Sequence, residues 1–124
     1  MPIPSKIYRE EHELFRKTVA GFIEREIAPN YERWEDEGQV SREVWRKAGE
    51  AGLLLTDIPE EYGGAGVDFL FSAVMIEEMA KRVYAAPGFR LHSDIVAPYI
   101  LNYGSEEQKR TWLPRMARGE VITA

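Results

Sequence analysis

Between Ile7 and Ala28 an apolar side chain returns every fourth residue, at Phe15, Val19, Ile23 and Ile27, while Glu10, Glu13, Lys17, Glu24 and Arg25 take the other faces. That spacing follows the 3.6-residue turn of an α-helix and not the two-residue alternation of a strand, so the chain opens with an amphipathic helix. Glu13 and Lys17 stand in the favourable i,i+4 order, but such a pair contributes only about 0.2–0.5 kcal/mol, so packing of the stripe holds the helix in place. Pro29 lacks a backbone donor and clashes with the turn before it, and the helix is predicted to stop there.

The same punctuation divides the rest of the chain. Ser41 is a good N-cap for a short second helix through Val44, Trp45 and Ala48, ending near Gly52. Leu53 to Ile58 then form a brief apolar connection into Pro59–Gly66, where three glycines and a proline predict a shaped loop. Asp68 can cap a third helix, with Phe69, Ala73, Ile76, Ala80 and Val83 as its buried stripe and Glu77, Glu78, Lys81 and Arg82 in water. Its first half is apolar nearly all round and could be a strand on composition, but the helical period continues past Glu78.

Pro87-Gly88 breaks the chain again before a fourth helix, expected to be buried and to reach Tyr103, carrying Leu91, Ile95, Val96, Tyr99, Ile100 and Leu101. Pro98 inside it would cost roughly 3 kcal/mol in an intact turn, which predicts a kink or a late helix start. After Gly104, Ser105 and Gln108 make a capping box for a last helix with Trp112, Leu113 and Met116 on its apolar side. Pro114 interrupts that pattern and Gly119 marks its end. The fold class is therefore all-α, a bundle-like domain of about five helices. Val121-Ile122-Thr123 is strand-like in composition, but no earlier segment offers it a partner, so it reads as the start of an orphan strand.

The totals remove several functional classes. At 124 residues the chain fits one domain, and with 44% hydrophobic and 30% charged residues it should fold. A net charge of -5 works against nucleic acid and anionic lipid as partners. With no cysteine there is no disulfide, thiolate nucleophile or thiolate metal site, and the start of the chain lacks a signal-peptide core, so a soluble cytoplasmic protein is expected. No run of residues is long and apolar enough to span a bilayer.

His12 and His92 are the two histidines, far apart and without metal-ligand spacing, and no metal site is expected. The Glu60-Glu61 and Glu77-Glu78 pairs read as solvated faces, because catalytic carboxylates need desolvation or a charged neighbour. Gly63-Gly64-Ala65-Gly66 fits no phosphate-loop pattern and reads as a turn, and no serine stands in a nucleophile elbow.

What points to function is a resemblance covering essentially the whole chain. Gly52-Leu53-Leu54, followed by Ile58-Pro59-Glu60-Glu61-Tyr62-Gly63-Gly64-Ala65-Gly66, resembles the loop between early helices of acyl-CoA dehydrogenases. Gly104-Ser105-Glu106-Glu107-Gln108-Lys109, continued by Trp112-Leu113-Pro114 and Ala117-Arg118-Gly119-Glu120, resembles a later segment in that family's order and spacing. Val40 to Trp45, and Pro87-Gly88-Phe89 with Leu91-His92-Ser93, look most like the long-chain members.

The resemblance implies that residues 1–120 are the family's amino-terminal helical domain and 121–124 the first residues of its central β-domain. The Thr-Glu-Pro segment that helps hold the flavin, and the catalytic glutamate, belong to later parts. No catalytic, cofactor-binding or metal-binding residue is expected here, and the isolated chain is expected to be inactive. For the whole enzyme the resemblance implies FAD, α,β-dehydrogenation of acyl-CoA to trans-2-enoyl-CoA in fatty-acid β-oxidation, electron transfer to electron-transfer flavoprotein, and a homotetramer. It also implies that Pro87, Gly88, Leu91 and Ile95 line the distal acyl tail, although Leu91 and Ile95 would equally suit plain core. The alternative is a free-standing helical interaction module without catalysis.

Overall fold

A computed structural model describes residues 7–84 and 86–123, so Ala124 of the expected strand lies outside the described residues. Six α-helical segments follow one another: α1 (Glu10–Phe22), α2 (Tyr31–Glu37), α3 (Arg42–Glu50), α4 (Phe69–Lys81), α5 (Ala97–Tyr103) and α6 (Glu106–Ala117). No strand is present among the described residues, and the expected one is replaced by irregular chain in which Val121 and Ile122 pack half-buried against the core. A strand without a neighbour to bond to has nothing to hold it extended.

The α1 stripe behaves as its spacing predicts: Val19, Ile23 and Ile27 are fully buried and Phe15 packs at the core edge. Pro29 does not stop the winding, which is the first correction. Ile23–Ile27 widens into a π-helical stretch, and Pro29 enters at the start of a 3-10 turn, Ala28–Asn30, where its missing N–H is not needed. The Ala28 N–H reaches back five residues to Ile23 O, and the Asn30 amide donates to Glu26 O at 2.9 Å. Helix α2, which the sequence reading omits, follows directly and ends on Gly38.

Helix α3 is capped by the Ser41 hydroxyl accepting the Glu43 N–H at 3.1 Å, and it buries Val44, Trp45 and Ala48. Leu53, Leu54, Leu55 and Ile58 of the following loop are all buried, so this irregular segment is itself part of the core. The α6 capping box forms as predicted, with Ser105 Oγ accepting the Gln108 N–H and Gln108 Oε1 accepting the Ser105 N–H at 2.9 Å. Leu113 and Met116 are fully buried, whereas Trp112 points outward. Helix α6 continues through Pro114, and Gly119 follows at φ 71°, where an added Cβ would meet Trp45 O at 2.1 Å.

Helix α4 starts on Asp68, whose carboxylate accepts the Leu70 N–H at 2.9 Å, but it turns a different face inward from the one expected. Ser72, Val74, Met75, Glu78 and Met79 are buried. Of the expected stripe, Phe69 is 54% and Val83 83% exposed, Ala80 is exposed, and Ala73 and Ile76 are half-buried. The rotation puts Glu78, 3% exposed, among three cations: Arg16 Nη1 at 2.8 Å, Lys81 Nζ at 2.9 Å and Arg82 Nη1 at 2.8 Å. Burial pushes this carboxyl up, but the hydrogen bonds from Arg16, Lys81 and Arg82 outweigh it and hold the group down to about 2. Arg82 also reaches Glu24 at 3.1 Å, so the cluster clamps α4 to the α1 rod.

Candidate functional site

The segment after the Pro87-Gly88 break has one face fastened to the core and one left open. Leu91–Val96 is π-helical, the Ala97 N–H bonds back to His92 O, and Pro98 falls in the first turn of α5, the late start its ring demands. On the inner face Phe89 stands edge-on to Trp45 at 4.8 Å between ring centres, and Ser93 Oγ accepts the Leu55 N–H at 3.1 Å. His92 is fully buried, edge-on to Trp45 at 5.0 Å. Burial pushes its imidazole below the usual value, against the Met116 carbonyl that accepts from it.

On the outer face Leu91 is 38% and Ile95 61% exposed, one turn apart, and the apolar row continues through Tyr99 and Tyr103. A Cβ built on Gly88 would meet nothing within 4 Å. Of the four residues singled out from the sequence, Gly88, Leu91 and Ile95 therefore share the open side of this segment, and Pro87 is buried beneath it. Neither Leu91 nor Ile95 is plain core in this chain.

Beyond them lies an apolar groove of about 460 Å³, lined by Tyr99, Tyr103, Trp112 and Val121 among others. The two tyrosine rings meet at a tilt of 47°, with their centres 5.0 Å apart. This corrects the buried helix expected from the sequence: Leu91, Ile95, Tyr99 and Tyr103 form one i,i+4 row on its exposed side.

A second group missed in the sequence lies on the inner side of this segment, where Thr56 Oγ1 and Ser72 Oγ are 2.9 Å apart and burial raises the Asp94 carboxyl despite its hydrogen bond from Ser72. Burial likewise raises Asp57.

The glycine-rich loop offers nothing to a phosphate. The N–H groups of Gly63, Gly64, Ala65, Gly66 and Val67 are taken by the carbonyls of Glu60, Pro59, Leu55, Ile58 and Thr56. A Cβ on Gly64 would lie 2.1 Å from Ile58 O, so the glycines serve close packing. The residues of this chain therefore do not fit a flavin diphosphate at the one loop whose composition suggests it.

Glu11, His12 and Asp68 are the carboxylate and imidazole groups that converge within 4.8 Å, but their atoms are already engaged. His12 Nδ1 accepts the Arg9 N–H at 2.9 Å, Nε2 faces Asp68 Oδ1 at 3.1 Å, and the Arg9 guanidinium bridges Glu11 and Asp68 at 2.9 and 3.1 Å. The cluster joins the starts of α1 and α4. His92, likewise, spends both ring nitrogens within the fold, on Met116 and Thr123.

A fold with these features is found elsewhere. The family model for the acyl-CoA dehydrogenase N-terminal domain matches residues 9–120. The chain is 49% identical over 119 residues to the long-chain specific acyl-CoA dehydrogenase, mitochondrial, of Rattus norvegicus, covering 96% of this chain but only 28% of that protein. An acyl-CoA dehydrogenase crystal structure from Geobacillus kaustophilus superposes with a TM-score of 0.90 at 44% identity, over 96% of this chain and 31% of that one. A glutaryl-CoA dehydrogenase from Mycobacterium smegmatis, in complex with FADH2, aligns at a TM-score of 0.81 and 28% identity, over 93% of this chain and 30% of that one.

Proposed function

The chain belongs to the acyl-CoA dehydrogenase family, in the part that forms its amino-terminal helical domain, and from that membership we propose that it supplies one wall of the acyl cleft in an FAD-dependent dehydrogenase of long-chain acyl-CoA. Residues 1–120 are this domain, and 121–124 lead into a central β-domain. The enzyme removes hydrogen from the α and β carbons to give a trans-2-enoyl-CoA, as in fatty-acid β-oxidation. Bound FAD would supply the hydride acceptor, and its site, like the catalytic base, would be built from segments other than these residues.

The observation that carries the proposal is the open face of Leu91 and Ile95 above the empty space at Gly88, on a segment whose other face is locked to Trp45 and Leu55. Two hydrogens must leave adjacent carbons, so the acyl chain has to be held still against base and flavin, and a rigid apolar wall does this. Pro87 sets the start of the wall, Gly88 leaves room for the chain end, and Leu91 and Ile95 contact its methylenes. Each methylene buried contributes about 0.8 kcal/mol, or about fourfold in binding.

In the same proposal electron-transfer flavoprotein removes the electrons and the enzyme is a homo-oligomer, a tetramer by family resemblance. Cytoplasmic placement rests on the lack of cysteine, and no helix among the described residues is long and apolar enough to cross a membrane. The rat relative is mitochondrial, and cell fractionation decides between the two compartments.

The test is to purify the protein that carries this segment together with the domains that follow it. We expect flavin absorbance, acceptor reduction driven by long-chain acyl-CoA, and a shift toward shorter substrates in Gly88→Leu. A colourless protein that reduces no acceptor with any acyl-CoA overturns the proposal and leaves the interaction module.

A further inference from the structure

His92 has two ring nitrogens and no water around it, and its partners come from two later segments of the chain. A carbonyl oxygen only accepts and a backbone N–H only donates. The 2.9 Å contact between Nε2 and Met116 O therefore requires the proton on Nε2. The Thr123 N–H, 3.3 Å from Nδ1, requires that nitrogen to be bare, and the Thr123 hydroxyl at 3.0 Å must donate to it as well. Both sides of the ring demand the same neutral tautomer.

The placement of this ring links two parts of the molecule. It sits on the helical stretch whose outer face carries Leu91 and Ile95, and it holds the residue two places past Val121, in a segment that is neither helix nor strand. Val121 and Thr123 line the aromatic groove, and Val121 and Ile122 both pack half-buried against the core.

We propose that His92 is a positioning residue: as the Nε2–H tautomer it bridges α6 and Thr123 and so fixes where the segment after α6 lies against the helical stretch that carries Leu91 and Ile95. Its relevance to the acyl cleft rests on the function proposed above, but the tie itself does not. A leucine of similar size would fill the space and leave the Thr123 N–H without its acceptor.

The 124-residue chain, labelled with nitrogen-15, tests this by NMR. The expected imidazole spectrum is that of the neutral Nε2–H form, with the Thr123 amide slowed in exchange. His92→Gln keeps a donor toward Met116 O but loses the acceptor for Thr123, and should speed exchange of that amide by about tenfold. His92→Asn places an oxygen near the Nδ1 position and should restore the protection, which a purely space-filling role would not predict.

An Nδ1–H tautomer, or equal Thr123 exchange in His92→Gln and the unsubstituted chain, overturns the proposal. If the His92 variants do not fold, Thr123→Val, altered in the terminal segment alone, must still move the Nδ1 resonance, and an unmoved resonance overturns it too. None of these measurements involves flavin or acyl-CoA, so their failure and that of the dehydrogenase proposal are separate events.

Discussion

The two π-helical stretches, Ile23–Ile27 and Leu91–Val96, resolve the same local conflict and end in opposite surroundings. Each widens the helix by one residue per turn just before a proline, so that Pro29 and Pro98 enter at the start of a new helical turn instead of breaking an old one. The first stretch is sealed: Ile23 and Ile27 are fully buried, and Glu24 is held by Arg82 of the Glu78 cluster. The second turns Leu91 and Ile95 to the outside and keeps only its Phe89–His92–Ser93 side inward. Local backbone chemistry explains the shared geometry, and the neighbours decide whether it makes core or an open apolar face.

The largest expected effect that would break this contrast is at the clamp on the first stretch. Glu78→Gln leaves Arg16 and Arg82 facing a neutral amide and should cost about 3–5 kcal/mol in urea unfolding. A loss below about 1 kcal/mol would mean the clamp contributes little and the core holds the first stretch alone.

Ile23→Ala should cost about 2–5 kcal/mol in the same experiment, because nothing can collapse into the space of a side chain with no exposed surface. Acid should then separate the two stretches. His92 has a lowered folded pKa, so below 6.5 the unfolded chain takes up the proton first, and stability falls with pH until the folded value is reached. Glu78 works in a lower window: its contribution is whole above 4.5 and disappears as pH falls toward about 2. Exchange of Thr123 should therefore rise before that of the α1 amides, and simultaneous loss would remove the distinction.

The smallest effect is the most telling for function. Ile95→Ala should change stability by no more than about 0.5 kcal/mol, since the side chain is already open to solvent. In the enzyme that carries this segment the same change should alter chain-length preference, and an Ile95→Ala protein with unchanged selectivity would return the wall to plain surface.

Much of this was readable in the order of residues. Ser41, Asp68 and Ser105 each cap the helix they were expected to cap, because a cap depends on the next two or three residues alone. The stripe Val19–Ile23–Ile27 was equally plain, since only one face of α1 is apolar. Helix α4 was misread for the opposite reason. With apolar residues nearly all round, its sequence offers two candidate faces, and the choice fell on the wrong one, Phe69 to Val83. Family resemblance named Pro87, Gly88, Leu91 and Ile95, of which the last three lie on the open side of their segment, whereas the exposed tyrosines and the His92 tie have no signal within one segment. A buried histidine and a surface one look the same in a list of letters.

Periodicity, caps and breakers were enough to specify an all-helical domain and where most of its helices begin, because those signals act over a turn or two of backbone. Which side of α4 is buried, and that Glu78 prefers three cations to water, came only with packing. Such outcomes depend on groups as far apart in sequence as Arg16 and Glu78, or His92 and Thr123, and no spacing rule within one segment contains the energy of their meeting.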